Sequence, residues 1–168
     1  LIYLDPPFFT QKTHKGEKDG RLMKFTDKWE GGRAEYLDEM ALRLLQMHRI
    51  LKDTGSIYLQ CDQTASHYLK VVMDEVFGAS NFLNDIVWCF STSGRPKKPF
   101  AKKHGNILLY GKTAKYFWND KEVRIPYDQK YIDSHFKDRD AKSGEPIRRR
   151  QDAGKWRTYY AKDGMVPN

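Results

Sequence analysis

Cysteine is scarce in this sequence: there are two, Cys61 and Cys89, in 168 residues. Two thiols with no paired spacing make neither a disulfide framework nor a zinc-ligand pattern, and both are expected to be buried spectators in a reducing cytoplasm. The five histidines (His14, His48, His67, His104 and His135) are scattered without ligand spacing, so no metal is expected. No apolar run is long enough to span a membrane. No basic, apolar, small-residue series marks a signal peptide. An initiating Met is missing too, because the chain opens on Leu1-Ile2-Tyr3-Leu4. A chain that begins inside an apparent buried strand reads as cut from a longer one. Internal repeats and low-complexity tracts are also lacking.

What the sequence has in excess is positive charge, unevenly spread over a net +8. Residues 1–89 hold 11 Lys and Arg against 13 Asp and Glu, whereas residues 90–168 hold 19 against 9. The first part is near neutral at −2 and the second strongly basic at +10. A half of that kind either meets a polyanion or presents a solvated basic surface.

The hydrophobic pattern sets the order of elements. Leu1–Leu4 is a short apolar run stopped by Asp5-Pro6-Pro7, as in a buried parallel strand. Phe9–Gly32 is polar and reads as a long loop. From Ala34 to Leu51, Leu37, Met40, Ala41, Leu44, Leu45 and Leu51 recur at helical spacing, and Gly55 follows as a stop. Ser56–Cys61 is a second strand, and Thr64 a candidate N-cap for a helix running to Val76. Asp62 either contacts a ligand at its strand end or caps that helix. Asp85–Phe90 and Asn106–Tyr110 are two more strands, joined by a basic loop with no helix between them. From Tyr116 the chain turns aromatic, basic and irregular. The rhythm predicts an α/β fold whose sheet is mostly parallel with one antiparallel hairpin. Ligands of such sheets sit at the carboxyl ends of strands, where Asp5 and Asp62 lie.

Asp5-Pro6-Pro7-Phe8 is the motif with chemistry in it. An exocyclic base amine is a poor nucleophile because its lone pair is delocalised into the ring. A carboxylate accepting one N–H and a carbonyl accepting the other turn that nitrogen toward tetrahedral geometry. Asp5 can supply the first and the Pro6 carbonyl the second, held by prolines that keep the chain extended. Phe8 can stack on the base. Catalysis would rest on positioning and electrostatics. A bare turn is the alternative reading of the same four residues.

Read with the segments around it, the chain resembles the DNA N6-adenine/N4-cytosine methyltransferases, particularly the modification subunits of type III restriction systems. LIYLDPPFF at the start looks like the family's catalytic strand and tetrad. FTDKW (25–29), MHRILKDTGSIYLQCD (47–62), MDEVFGASNFLNDIVW (73–88) and KKHGNILLYGKTAKYFWN (102–119) follow in the family's order, over about two-thirds of the chain. The resemblance implies a Rossmann-like, AdoMet-dependent methyltransferase fold. Residues 1–115 would be the catalytic part of the domain and 116–168 the start of the target-recognition region. It implies S-adenosylmethionine as cofactor, with Asp5 also on the cofactor side of the site. The expected partners are duplex DNA, a restriction subunit and a second copy of the chain. Asp5 would bind the target amine, Phe8 would stack on a base flipped out of the duplex, and Pro6 and Pro7 would shape the turn. Ser91, Thr92 and Ser93 would line the base pocket. Lys97, Lys98, Lys102 and Lys103 would lie against DNA. The family's tetrad more often carries Tyr where Phe8 stands, a change that keeps the ring.

One departure matters. The family's Phe-x-Gly-x-Gly strand-turn, which receives the methionine part of the cofactor, has no match here, and Gly31-Gly32 is a lone pair. In a circularly permuted subgroup that motif follows the catalytic one, so these residues are expected to bind cofactor weakly or not at all. Arg148, Arg149 and Arg150, near Trp156, Arg157, Tyr159 and Tyr160, suit phosphate contact and base stacking or else a solvated loop. The expected activity is methyl transfer to adenine N6 in DNA, within a restriction-modification system. The alternatives are cytosine N4 and a non-catalytic DNA-binding remnant. An RNA or protein amide methyltransferase would usually carry Asn where Asp5 stands.

Overall fold

In the computed structural model, residues 1–18, 21–91 and 101–165 are described. They fall into two compact units, Leu1–Phe117 and Trp118–Asn168. Along the first run β1 (Ile2–Leu4), β2 (Lys12–Lys18), β3 (Arg21–Asp27), α1 (Gly32–Ile50), β4 (Ser56–Cys61), α2 (Ser66–Phe77), β5 (Phe82–Cys89) and β6 (His104–Gly111). The second holds α3 (Asp120–Val123), α4 (Gln129–His135), β7 (Asp138–Arg139), β8 (Pro146–Asp152) and β9 (Lys155–Tyr160).

The main sheet has the order β1-β4-β6-β5. It is not the mostly parallel sheet that the alternating pattern predicts. β1–β4 is its one parallel pair, while β4–β6 and β6–β5 are antiparallel. The cause is an insertion. A strand–helix–strand connection does point β4 and β5 the same way. β6 then returns from β5 without a crossover helix and slots between them. A connection sets a strand's direction but not its neighbour.

Alternation along β4 and β6 builds the core. Ile57, Leu59 and Cys61 share one face of the sheet with Tyr110 and Leu108, their register partners being Ile57↔Tyr110 and Leu59↔Leu108. Tyr36, Met40 and Leu44 of α1 and Leu69, Met73 and Phe77 of α2 pack into the same cluster. Two of these sit on the stripe expected for α1, but Leu45 of that stripe is exposed and Tyr36 takes the inward position. Gly55 lets the chain double back into β4. A Cβ there would lie 2.6 Å from Leu51 Cδ1 and 2.9 Å from the Lys52 carbonyl oxygen. Thr64 is not the cap of α2. The Asp62 carboxylate accepts the Thr64 N–H (2.8 Å) and hydroxyl (3.2 Å), forming an Asx turn that leads into the helix.

Two segments expected to be irregular are ordered. Within Phe9–Gly32, β2 and β3 form an antiparallel ribbon in continuous register from Lys12↔Asp27 to Lys18↔Arg21. Cross-strand pairing orders it although neither strand shows the alternation of a half-buried surface. After Tyr116, β7, β8 and β9 make a three-stranded antiparallel sheet over Phe136, Ile147 and Ala161. There the Asp128 carboxylate caps α4, accepting the Tyr131 N–H at 2.8 Å. Cys61 is buried as expected, but Cys89 is exposed. Among the described residues no helix is long and apolar enough to cross a membrane.

Candidate active site

β1 ends at Leu4, and Asp5 emerges exposed at its carboxyl end, followed by a buried Pro6. Asp5, Pro6, Pro7 and Phe8 form one side of a cavity of about 430 Å³. Gln60 near the end of β4 adds to it, with its side chain accepting from the Tyr3 hydroxyl. Thr10, His14, Phe25 and Asp27 also line it. A hollow of this size lies in the range of small-molecule clefts.

The turn after the tetrad is tightly held. Phe9 and Gln11 both have positive φ, +60° and +57°, at a cost on the order of 1–3 kcal/mol each. The strain is offset by packing. The Phe9 ring meets Tyr36 with centroids 5.4 Å apart, while Phe8 lines the cavity. The Tyr36 hydroxyl donates to the Pro7 carbonyl at 2.8 Å, fixing the Pro-Pro segment to α1. Burial, with Cys61, Asp27 and Asp62 nearby, pushes the Tyr36 pKa upward, so it remains a donor.

Asp27 is the second anchor and is 1% exposed. Its carboxylate accepts the Thr10 N–H (2.6 Å), the Thr10 hydroxyl (2.8 Å) and the Trp29 indole N–H (2.9 Å). Burial alone would raise its pKa. The Thr10 N–H, the Trp29 indole, the Thr10 hydroxyl and the charge of His14 outweigh that and hold it below the ordinary carboxylate value. Trp29 packs edge-on against Tyr36 at 5.2 Å, so the two anchors are joined. The Thr10 hydroxyl also lies 2.9 Å from His14 Nε2. Its one proton goes to the ionised Asp27, so it accepts from His14, whose Nε2 therefore carries a hydrogen. The His14 ring stacks on Phe25, centroids 6.1 Å apart and planes 26° apart.

Sequence reasoning missed Thr10, His14, Phe25, Asp27 and Tyr36. The signal for Asp27 was there, in the FTDKW string just before α1, but an acidic residue in a polar stretch has no periodicity to mark it as buried.

Of the residues expected to face DNA, Thr92, Ser93, Lys97 and Lys98 lie outside the described residues. Ser91 and Lys102 are exposed and Lys103 is half-buried. The Phe90 N–H donates to the Lys103 carbonyl at 3.0 Å, extending the β5–β6 pairing. Sheet order puts these residues at the same edge as Asp5, because the carboxyl ends of β1, β4 and β5 coincide with the amino end of β6. With β4 and β6 between, β1 and β5 run roughly 14 Å apart, three strand spacings, and Ser91 lies further along than Ile86, the β5 residue level with Asp5.

Arg148, Arg149 and Arg150 do not act as one cluster. Arg148 is half-buried, its guanidinium 5.5 Å from the Phe136 ring centre and 5.7 Å from that of Tyr159, and it donates to the Tyr131 hydroxyl at 3.2 Å. Arg149 and Arg150 are exposed on opposite faces of the ribbon, paired with Thr158 and Arg157.

Comparison with known proteins shows the family. The DNA methylase family profile, which covers N6/N4 methyltransferases, matches residues 1–160. The chain belongs to the DNA methylase family. Among its relatives is the type II methyltransferase M.KpnI of Klebsiella pneumoniae, 36% identical over 67% of this chain and 27% of that protein. The type II methyltransferase M.EcaI of Enterobacter cloacae is also 36% identical, over 71% of this chain and 26% of its own length. The Mod subunit of the Escherichia coli type III restriction-modification enzyme EcoP15I is 27% identical over 67% of this chain and 20% of its own. The chain thus spans about a quarter of the length of the relatives it matches. A DNA methylase is expected to hold S-adenosylmethionine, and the residues here do not fit that task alone. They include no glycine-rich strand-turn, and Asp27, the other acid on the cavity, is already committed to Thr10 and Trp29.

Proposed function

We propose that this chain is the target-base part of an S-adenosylmethionine-dependent DNA methyltransferase acting on adenine N6 in duplex DNA. The observation that carries the reading is Asp5, exposed at the end of β1 and sharing one hollow with Pro6, Pro7 and Phe8. Asp5 accepts one N–H of the target amine. The Pro7 carbonyl is engaged by Tyr36, so the other N–H goes to the Pro6 carbonyl. Both contacts favour the tetrahedral nitrogen over the planar one, which is transition-state stabilisation by fixed groups. Phe8 stacks on the base. S-adenosylmethionine supplies an electrophilic methyl group when bound; no step here depends on how this chain would hold it. A base must leave the duplex to reach Asp5, and Ser91, Lys102 and Lys103 at the same end of the sheet suit the opened backbone. Relatives among type III Mod subunits support a restriction subunit as partner. Asp at the head of the tetrad favours adenine over cytosine by family resemblance.

The test is transfer of labelled methyl to duplex DNA by the full protein that carries these residues, with the product base identified. Asp5→Ala is expected to abolish transfer, with DNA affinity kept within about twofold, because the lost interaction belongs to the transition state. Retained transfer in Asp5→Ala would sink the reading. Label on cytosine N4 would redirect its choice of base.

A further inference from the structure

The β2–β3 ribbon calls for an explanation that the core does not supply. A two-stranded ribbon is marginal by itself in water, and this one leaves Leu22, Met23 and Phe25 more than half exposed. What secures it is a polar root: the buried Asp27 with its three hydrogen bonds, and the Trp29 N–H donating to the Gln11 side chain at 3.1 Å. Register divides the ribbon into two faces. His14 pairs with Phe25 on the face that carries Asp27, and both line the same cavity as Asp5. On the other face Lys15 pairs directly with Lys24.

We propose that this ribbon is the second wall of the target-base pocket, the Phe25 ring beside His14 stacking on the extruded base. The assignment rests on the reading of Asp5 and Phe8 as the base site, and it adds a sequence-tolerant stacking surface to that site. The hydrogen bond to Thr10 orients His14, whose ring lies beside Phe25 with centroids 6.1 Å apart and planes 26° apart. The ligand chemistry is the π-face of a base, as in single-stranded nucleic acid recognition.

The experiment titrates the protein into two duplexes of one sequence. In one, a single 2-aminopurine faces an abasic site, which lowers the cost of extrusion; in the other it is fully paired. Anisotropy reports affinity and 2-aminopurine emission reports stacking of the captured base. Phe25→Ala is expected to weaken binding of the abasic duplex about tenfold and to brighten the bound 2-aminopurine, with the paired duplex changed less than about twofold. Phe25→Trp should restore wild-type values, which separates lost stacking from lost folding. If Phe8→Ala dims neither affinity nor emission contrast and Phe25→Ala matches wild type, the base does not enter this hollow, and the base-site reading fails with the inference. If Phe8→Ala weakens capture while Phe25→Ala and His14→Ala match wild type, the base site stands and the ribbon is not its wall.

Discussion

Asp27 stands in the interior as an ionised carboxylate, and its three donors explain why that is tolerated. A buried acid that gives up such partners leaves Thr10 and Trp29 unsatisfied, so Asp27→Ala is expected to cost about 1–3 kcal/mol of unfolding free energy in urea titrations. The sign of the pH effect follows from the direction of its shift. The folded pKa lies below the ordinary value of 3.8, so the contribution is complete above that value and fades as pH falls through the folded pKa. The wild-type advantage over Asp27→Ala should therefore be constant from neutral pH to about pH 5 and shrink below about pH 4. A difference that persists unchanged to pH 2 would show that packing, not charge, makes the contribution. Tyr36 works at the same scale. Its ring belongs to the core and its hydroxyl to the tetrad turn, so one residue joins the stability of α1 to the shape of the site.

At the scale of elements, short turns determine where strands can go. Gly164 has φ +68°, and a Cβ there would stand 2.5 Å from the Ile125 carbonyl oxygen, where Ile125 and Met165 form a bridge. Gly164→Ala must break that bridge or shift it, and is expected to lower the stability of the second unit by about 1–3 kcal/mol, read from its thermal transition. An unchanged midpoint would mean the bridge adds nothing. The ribbon of β2 and β3 presents the opposite case. It has a pairing register but little buried surface, and its position comes from Asp27 and Trp29 at its root. β5 and β6 pair as far as Cys89 with His104, at the end of the sheet where β1 and β4 also end and Asp5 emerges.

Over the whole molecule the charge is concentrated after residue 89, where the net is +10. Duplex binding is expected to fall linearly in log affinity with log salt, by about 0.9 per phosphate neutralised. Arg150→Gln should reduce that slope by about one with stability intact, because the side chain is exposed. Arg148→Gln should instead destabilise its unit, since its guanidinium is packed between Phe136 and Tyr159. Equal effects of the two variants on slope and stability would contradict the division of the triplet. Binding that is insensitive to salt would remove the basic half from DNA recognition altogether.

Much of this was legible in the residues alone. The strand ending in Asp5-Pro6-Pro7-Phe8, the strand at Ser56–Cys61 and the two long helices follow from periodicity and from Pro and Gly punctuation, which act over a few residues. Family membership was legible for the same reason, through segments in a recognisable order. What the local pattern could not convey was which strands become neighbours. β6 enters between β4 and β5 because its apolar face completes the cluster under α1 and α2, and that preference exists only once the helices are packed. The far wall of the hollow was hidden likewise. Thr10, His14, Phe25 and Asp27 lie in a polar stretch without periodicity, and cross-strand register with a buried carboxylate brings them to the cavity that Asp5 lines. Local propensity therefore settled the tetrad and its strand, whereas the sheet order and the shape of the pocket arose from long-range pairing and burial, which depend on residues distant along the chain.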